Sequence, residues 1–207
     1  MEWRRIMITK IIRDQDEILD LIIDEQQIVA IFQGKGEWGP RALGNRSILF
    51  DPRHPRAKQI VNLVKQREAY RPFAGSVMLE HAHEWFHMLQ LKESPWMSFA
   101  IQAKEIAYEK VPTLVHADGT CRIQTVTEEQ NKNYYNLIKG FYERTEVPMI
   151  FNTSFNLGGE ALVETIHDAI DTCNRSEINY LYIPEDQEFA IPLESLKIKD
   201  LQDPSED

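Results

Sequence analysis

Hydrophobic positions along this chain switch repeatedly between a helical and a strand period, and the switches predict alternating elements. Behind Asp14 and Glu17, spaced as in a helix cap, Ile18, Leu19, Leu21 and Ile22 continue a helix to about residue 25. Residues 27–32 form a near-continuous apolar run of strand length, and residues 47–50 a second that stops at Asp51 and Pro52. Pro55 opens a helix through residue 66, Arg71-Pro72-Phe73 is extended, residues 75–79 read as a strand and 81–89 as a short helix. Residues 97–103 are a further strand. Between the apolar flanks of 114–126, Ala117-Asp118-Gly119 predicts a hairpin, because Asp-Gly accepts the positive φ of a tight turn. Tyr134, Leu137, Ile138 and Phe141 fall on one face of a helix over 133–144, and 147–152 is a strand. Thr165 and Asp168 cap a helix to about residue 174, 178–183 is the last strand, and 202–207 is an acidic tail with nothing to pack. Strands interleaved with helices, with one hairpin among them, predict an α/β fold with a mixed sheet.

At 207 residues and 43% hydrophobic, the chain supports one sizeable core. Residues 27–201 are therefore read as a single domain, preceded by a lead of residues 1–26 with its helix and followed by the tail. The opening residues lack an apolar signal core, and no apolar run approaches the length of a membrane span. Two cysteines, Cys121 and Cys173, are too few for a disulfide framework and lack zinc-ribbon spacing, which fits a reducing cytoplasm.

Charge changes the picture. Nine of the 23 Lys and Arg residues lie between Gly34 and Arg71, against only Glu37, Asp51 and Glu68, so this segment carries +6 in a chain of net −10. The acidic remainder argues against coating a nucleic acid or an anionic membrane, whereas a local cationic cluster suits a small polyanion. Within the cluster, Gly34-Lys35-Gly36-Glu37-Trp38-Gly39 matches the spacing of a dinucleotide fingerprint. Pro40 and Gly44 leave no room for the crossover helix that such a site requires, so the segment reads as a glycine-rich loop that binds anions and carries Arg41 and Arg46. Lys65 and Arg67 pair a point charge with a planar fork, and Arg71 follows in extended chain. Asn152-Thr153-Ser154-Phe155-Asn156 supplies amides and hydroxyls at the end of a strand, where α/β sheets place ligands.

Two other chemistries remain open at this level. His83-Glu84-Trp85-Phe86-His87 has the zinc-peptidase spacing if it is helical, although no second motif nominates a third ligand. A nucleotide- or RNA-binding module without catalysis would also keep a cationic concavity. Nucleophile motifs of the Ser-x-x-Lys and Gly-x-Ser-x-Gly kind are absent.

Taken in order, Gly39-Pro40-Arg41-Ala42-Leu43-Gly44-Asn45-Arg46-Ser47, Lys65-x-Arg67, Arg71-Pro72-Phe73-Ala74, Ser94-Pro95-Trp96-Met97, His116-x-Asp118-Gly119-Thr120-x-Arg122-x-Gln124 and Asn152-Thr153-Ser154-Phe155-Asn156 strongly resemble one family. It is the C-terminal, YrdC-like domain of O-carbamoyltransferases of the nodulation-factor and antibiotic-tailoring type. The resemblance covers about residues 28–184. It implies an open, twisted, mixed sheet flanked by helices, and a reaction in which ATP and carbamoyl phosphate give carbamoyl-adenylate with Mg²⁺. It also implies that Lys65, Arg67, Arg71 and Arg122 hold phosphate and carbamoyl groups, that Asn152, Thr153, Ser154 and Asn156 hold the nucleotide, and that Arg41 and Arg46 serve the anion loop. Full-length members of the family carry a larger N-terminal domain that completes transfer to a hydroxyl acceptor. This chain is therefore expected to need such a domain, as a separate chain or a missing segment.

Overall fold

The computed structural model describes residues 9–39 and 41–184. In chain order the elements are β1 (Lys10–Ile12), α1 (Gln15–Ile23), β2 (Val29–Phe32), β3 (Arg46–Phe50), α2 (Ala57–Val64), β4 (Ala74–Met78), α3 (Leu79–Trp85), β5 (Ala100–Gln102), α4 (Glu105–Lys110), β6 (Thr120–Val126), α5 (Lys132–Thr145), β7 (Met149–Ser154), α6 (Ile166–Asn174) and β8 (Tyr180–Tyr182). One turn of 3₁₀ helix, Pro112–Leu114, precedes β6.

The eight strands form a single sheet in the order β1-β8-β2-β3-β7-β4-β6-β5. It is mixed, as the interleaved pattern predicts: β1 and β2 run parallel to β8, and β4 runs parallel to β6. In contrast, β7 is antiparallel to both of its neighbours, β3 and β4. Every residue of β3 and β4 is buried, which is why neither strand shows a polar-out alternation in sequence. The predicted caps form: Asp14 accepts from the Glu17 amide at 2.8 Å, and Thr165 and Asp168 close a reciprocal capping box on α6. The apolar face of α5, with Tyr134, Leu137, Ile138 and Phe141 buried, packs on β4, β7 and α1.

Over its described part the lead of residues 1–26 packs on the sheet: β1 pairs with β8 in register Lys10↔Tyr180, and Ile18 and Ile22 of α1 are buried. Three expectations are corrected. The hairpin over 114–126 is reduced to a tight turn. His116 and Thr120 close it through one backbone bond of 2.7 Å, but Pro112 sends the first arm into 3₁₀ helix, and β6 takes its antiparallel partner from β5 instead. A helix, α4, occupies 105–110, where none was expected. The helix expected over 81–89 is α3, which starts at Leu79 and ends at Trp85, with Phe86 already extended and bridged to Ala103. The acidic tail over 202–207 lies outside the described residues. Among those described, no helix is long and apolar enough to cross a membrane.

Candidate functional site

Where β7 ends beside the C-terminus of α2, the surface opens into a cavity of about 330 Å³. Its lining includes Arg41, Lys65, Arg67, Arg71, Arg122, Asn152, Thr153, Ser154 and Asn156. Segments up to about a hundred residues apart in sequence thus converge. Arg122 arrives on β6, paired with Ala74 and Ala100, while Lys65 caps α2 and the Asn and Ser residues end β7. A second cleft of about 630 Å³ shares Arg67, Arg71, Gly158 and Gly159 with the first, so the cationic wall serves two adjoining spaces.

Lys65 is the deepest cation, only 2% exposed. Its ammonium lies within reach of the carbonyl of Ser154, the carbonyl and Oδ1 of Asn156, both at 2.9 Å, and Ser154 Oγ at 3.4 Å. Ser154 Oγ in turn donates to Asn156 Oδ1 at 2.7 Å. Burial first, and the Arg67 charge second, lower the Lys65 ammonium to about 7. The surrounding oxygens act in the opposite direction, because they solvate the charged form. The turn can approach α2 this closely because residue 158 is glycine. A Cβ there would come within 2.8 Å of the Gln66 carbonyl, and the Gly158 amide donates to the Lys65 carbonyl at 2.7 Å.

The other cations crowd one another. Burial and then Arg71 lower the Arg67 guanidinium to about 10, and burial and then Arg122 lower that of Arg41. Like charges held together make a site that favours an arriving anion, with the half-exposed Glu68 carboxylate offsetting only Arg71 directly, at 2.8 Å. Arg67 is aimed by Asn62 Oδ1 at 2.6 Å and by the Phe73 ring, 4.3 Å from its Cζ, yet its buried Nη2 has no hydrogen-bond partner among the described residues. Asn62 also donates to the carbonyls of Ala69 and Arg71, fixing the loop that presents both arginines. It is a positioning residue that the sequence reading missed.

Two sequence expectations fare differently. Arg46 does not reach the cavity. It is buried, stacked on Phe32 with Cζ 3.6 Å from the ring, and donates to the Gln33 and Asn45 carbonyls. The loop of residues 34–46 is also not an open anion loop, because the amides of Leu43, Asn45 and Arg46 already donate to the Glu37 carboxylate. Asn152 does line the cavity, but its Nδ2 is committed inward. It donates to the Ala42 carbonyl at 3.1 Å and Ser76 Oγ at 2.9 Å, while Ser76 Oγ donates to Gln124 Oε1 and Gln124 Nε2 to the Leu43 carbonyl. Its Oδ1 is buried with no hydrogen-bond partner among the described residues. Ser76 and Gln124 thus form, with Asn152, a buried polar network that roots the loop in β4, β6 and β7.

His83 and His87 do not share a helical face, because α3 stops at Trp85, and His83 is exposed beside Lys104. Among the described residues no group of three His, Cys, Asp or Glu side chains is placed to hold a metal. The zinc-peptidase reading loses the helix on which its geometry depends.

The fold and the cationic cavity at the end of β7 define an α/β domain with a mixed sheet and a candidate polyanion site. The Carbamoyltransferase C-terminus family model matches residues 21–187, and the chain belongs to that family. It is 40% identical over 158 residues to nodulation protein NolO of Bradyrhizobium diazoefficiens, covering 75% of this chain and 29% of that protein. It is 33% identical over 157 residues to 3'-hydroxymethylcephem-O-carbamoyltransferase of Amycolatopsis lactamdurans, covering 76% of this chain and 29% of that protein. The chain thus spans under a third of the length of these relatives. Among solved structures, full-length HypF in its phosphate- and nucleotide-bound form superposes with a TM-score of 0.58 at 15% identity, covering 86% of this chain and 26% of that one. At that identity the likeness is one of fold.

Proposed function

We propose that this domain binds ATP and carbamoyl phosphate and makes carbamoyl-adenylate, which another domain or chain passes to a hydroxyl acceptor. The observation that carries this reading is the crowding of Arg41, Arg67, Arg71, Arg122 and Lys65 around one cavity whose lining, among the described residues, contains no carboxylate. Five cations in that lining, offset only by Glu68 in the adjoining cleft, suit a ligand with several negative charges. The adjoining cleft, which shares Arg67 and Arg71, gives length for a nucleotide as well as a small phosphate. The name of the cephem relative and the bound groups of the HypF structure are consistent with the same chemistry.

In this scheme water cleaves carbamoyl phosphate to carbamate and inorganic phosphate. A carbamate oxygen then attacks the α-phosphorus of ATP, forming the P–O bond of carbamoyl-AMP as the bond to pyrophosphate breaks. No protein nucleophile is needed, in keeping with the missing nucleophile motifs. The arginines orient phosphate oxygens bidentately, and Lys65 supplies a point charge where negative charge builds on the transferring group. Phe73, Met97 and Leu157 in the lining reduce water access to the carbamate. Mg²⁺ does not fit a protein-held site here, because among the described residues the cavity offers no carboxylate and the adjoining cleft only Glu68, which is paired with Arg71. It would enter on the phosphates of ATP as part of the substrate.

Pyrophosphate release from ATP and Mg²⁺, measured with and without carbamoyl phosphate, tests the proposal. Carbamoyl-phosphate-dependent release with carbamoyl-AMP detected by mass spectrometry is expected; ATP turnover indifferent to carbamoyl phosphate would overturn it.

A further inference from the structure

We infer that Glu37 is a positioning residue for the cavity: its carboxylate is an internal anion that fills a nest of backbone amides and thereby sets Arg41 into the site. The inference rests on the reading that the cavity takes phosphate groups. Glu37 Oε1 accepts from the Leu43 amide at 2.8 Å and the Asn45 amide at 2.9 Å, and Oε2 accepts from the Arg46 amide at 3.1 Å. Backbone donors turned to one point make a receptacle for an anion, normally one that a ligand brings. Here the chain supplies it.

The ring closed between residues 37 and 43 encloses Arg41. On its other side, Asn152 and Gln124 hold the carbonyls of Ala42 and Leu43, and Gln33 Nε2 holds that of Gly44 at 2.8 Å. Residues 42–44 are therefore clamped between Glu37 and the sheet, and Arg41 leaves from the edge of that clamp to line the cavity. A negative charge so near a polyanion site would oppose ligand binding if it faced the site. Three amides and the Arg46 guanidinium neutralise it locally, which also accounts for an arginine buried where it cannot meet a ligand. Burial raises the Glu37 carboxyl above its ordinary value, and the amides and Arg46 hold it down.

Glu37→Gln keeps the shape but turns an NH₂ towards an amide N–H, so at least one of the three bonds is replaced by a donor–donor contact. The test combines amide hydrogen exchange with calorimetric binding of ATP and of inorganic tripolyphosphate. Wild type, E37Q, R41A and the double variant are compared. Exchange at Leu43, Asn45 and Arg46 should quicken by roughly tenfold or more in E37Q while the amides of β7 stay protected. Affinity should fall roughly five- to fiftyfold in E37Q and in R41A, and the double variant should bind no more weakly than R41A alone, because Glu37 acts through Arg41. Formate added to Glu37→Ala should restore part of the lost affinity by refilling the nest. Unchanged exchange in E37Q, additive losses in the double variant, or binding indifferent to E37Q would each overturn the inference. Wild-type protein that binds neither anion would instead sink the functional reading, and the role of Arg41 with it. Should E37Q fail to fold, Glu37→Asp replaces it: the charge remains but draws back by one methylene, so wild-type affinity in that variant would refute a positional role.

Discussion

The loop of residues 34–46 and the turn of residues 154–159 face the same cavity and solve opposite problems. In the loop, inward-turned amide hydrogens converge on a carboxylate from the loop itself. In the turn, oxygens of Ser154 and Asn156 converge on an ammonium borrowed from the end of α2. One is an anion in a nest of donors, the other a cation in a ring of acceptors. Glu37 is spent on shaping the chain, with its charge cancelled by its surroundings. Lys65 sits at the cavity wall beside Arg67, where burial makes its charge costly to hold and responsive to a ligand. An ion buried for geometry and an ion buried for chemistry can thus share a site, and the neighbours that each keeps tell them apart.

Breaking the second half of that comparison should have the largest effect. Lys65→Ala removes the cation and leaves several buried oxygens without a donor. Carbamoyl-phosphate-dependent pyrophosphate release should fall by about a hundredfold or more, and stability by about 1–3 kcal/mol, read by assay and by denaturant titration. Gly158→Ala keeps every charge but places a Cβ 2.8 Å from the Gln66 carbonyl. It should lower stability by roughly 1–3 kcal/mol and pull the turn away from Lys65. If it proved harmless, the close approach of turn and helix would not be what holds the ammonium.

Titration sharpens the comparison further. Lys65 sits at about 7 in the fold against an ordinary value of 10.5. Between those values the unfolded chain carries the extra proton, so stability should rise with pH across that window, and Lys65→Met should flatten the rise. An arriving polyanion draws the proton back. ATP binding at about pH 8 should therefore take up protons, seen as a dependence of the calorimetric heat on buffer ionisation, and its affinity should weaken as pH climbs above 7. The smallest effect is expected at the rim. Glu68 pairs with Arg71 at 2.8 Å with both side chains half exposed. Glu68→Gln should alter stability by no more than about 0.5 kcal/mol and strengthen anion binding a few-fold by freeing Arg71.

Much of the site is legible in sequence because its residues sit at strand and helix ends, where polar side chains among apolar runs stand out. Lys65, Arg67, Ser154 and Asn156 are of that kind. Arg46 is not distinguishable from Arg41 by type or by loop. What separates them is register, since Arg46 opens β3 opposite Phe32 and so turns onto that ring. Glu37 was hidden as one acid in a basic stretch, and its partners are backbone amides, which no side-chain pattern reveals. Ser76 carried a usable signal, a hydroxyl between Gly75 and Val77 in a wholly buried strand, since such a group needs a partner across the sheet. β1 could not be read because three residues have no period, and their partner, β8, lies some 170 positions away. The Asp-Gly turn was read correctly as a turn. Its continuation as a hairpin was overridden by Pro112 and by the competing pairing of β6 with β5.

The place of β7 in the sheet bears on how the molecule comes into being. It joins β1-β8-β2-β3 on one side to β4-β6-β5 on the other, yet only α6 and β8 follow it among the described elements. During synthesis from the N-terminus, β3 and β4 must each wait with an open edge until residues 149–154 emerge, and such waiting edges invite pairing with other chains. Lys65 waits as well, since its acceptors are on Ser154 and Asn156. The cavity is consequently among the last parts of the domain to take shape, and a nascent chain arrested before β7 would hold β2-β3 and β4-β6-β5 as two unjoined pieces, with Lys65 still without its acceptors.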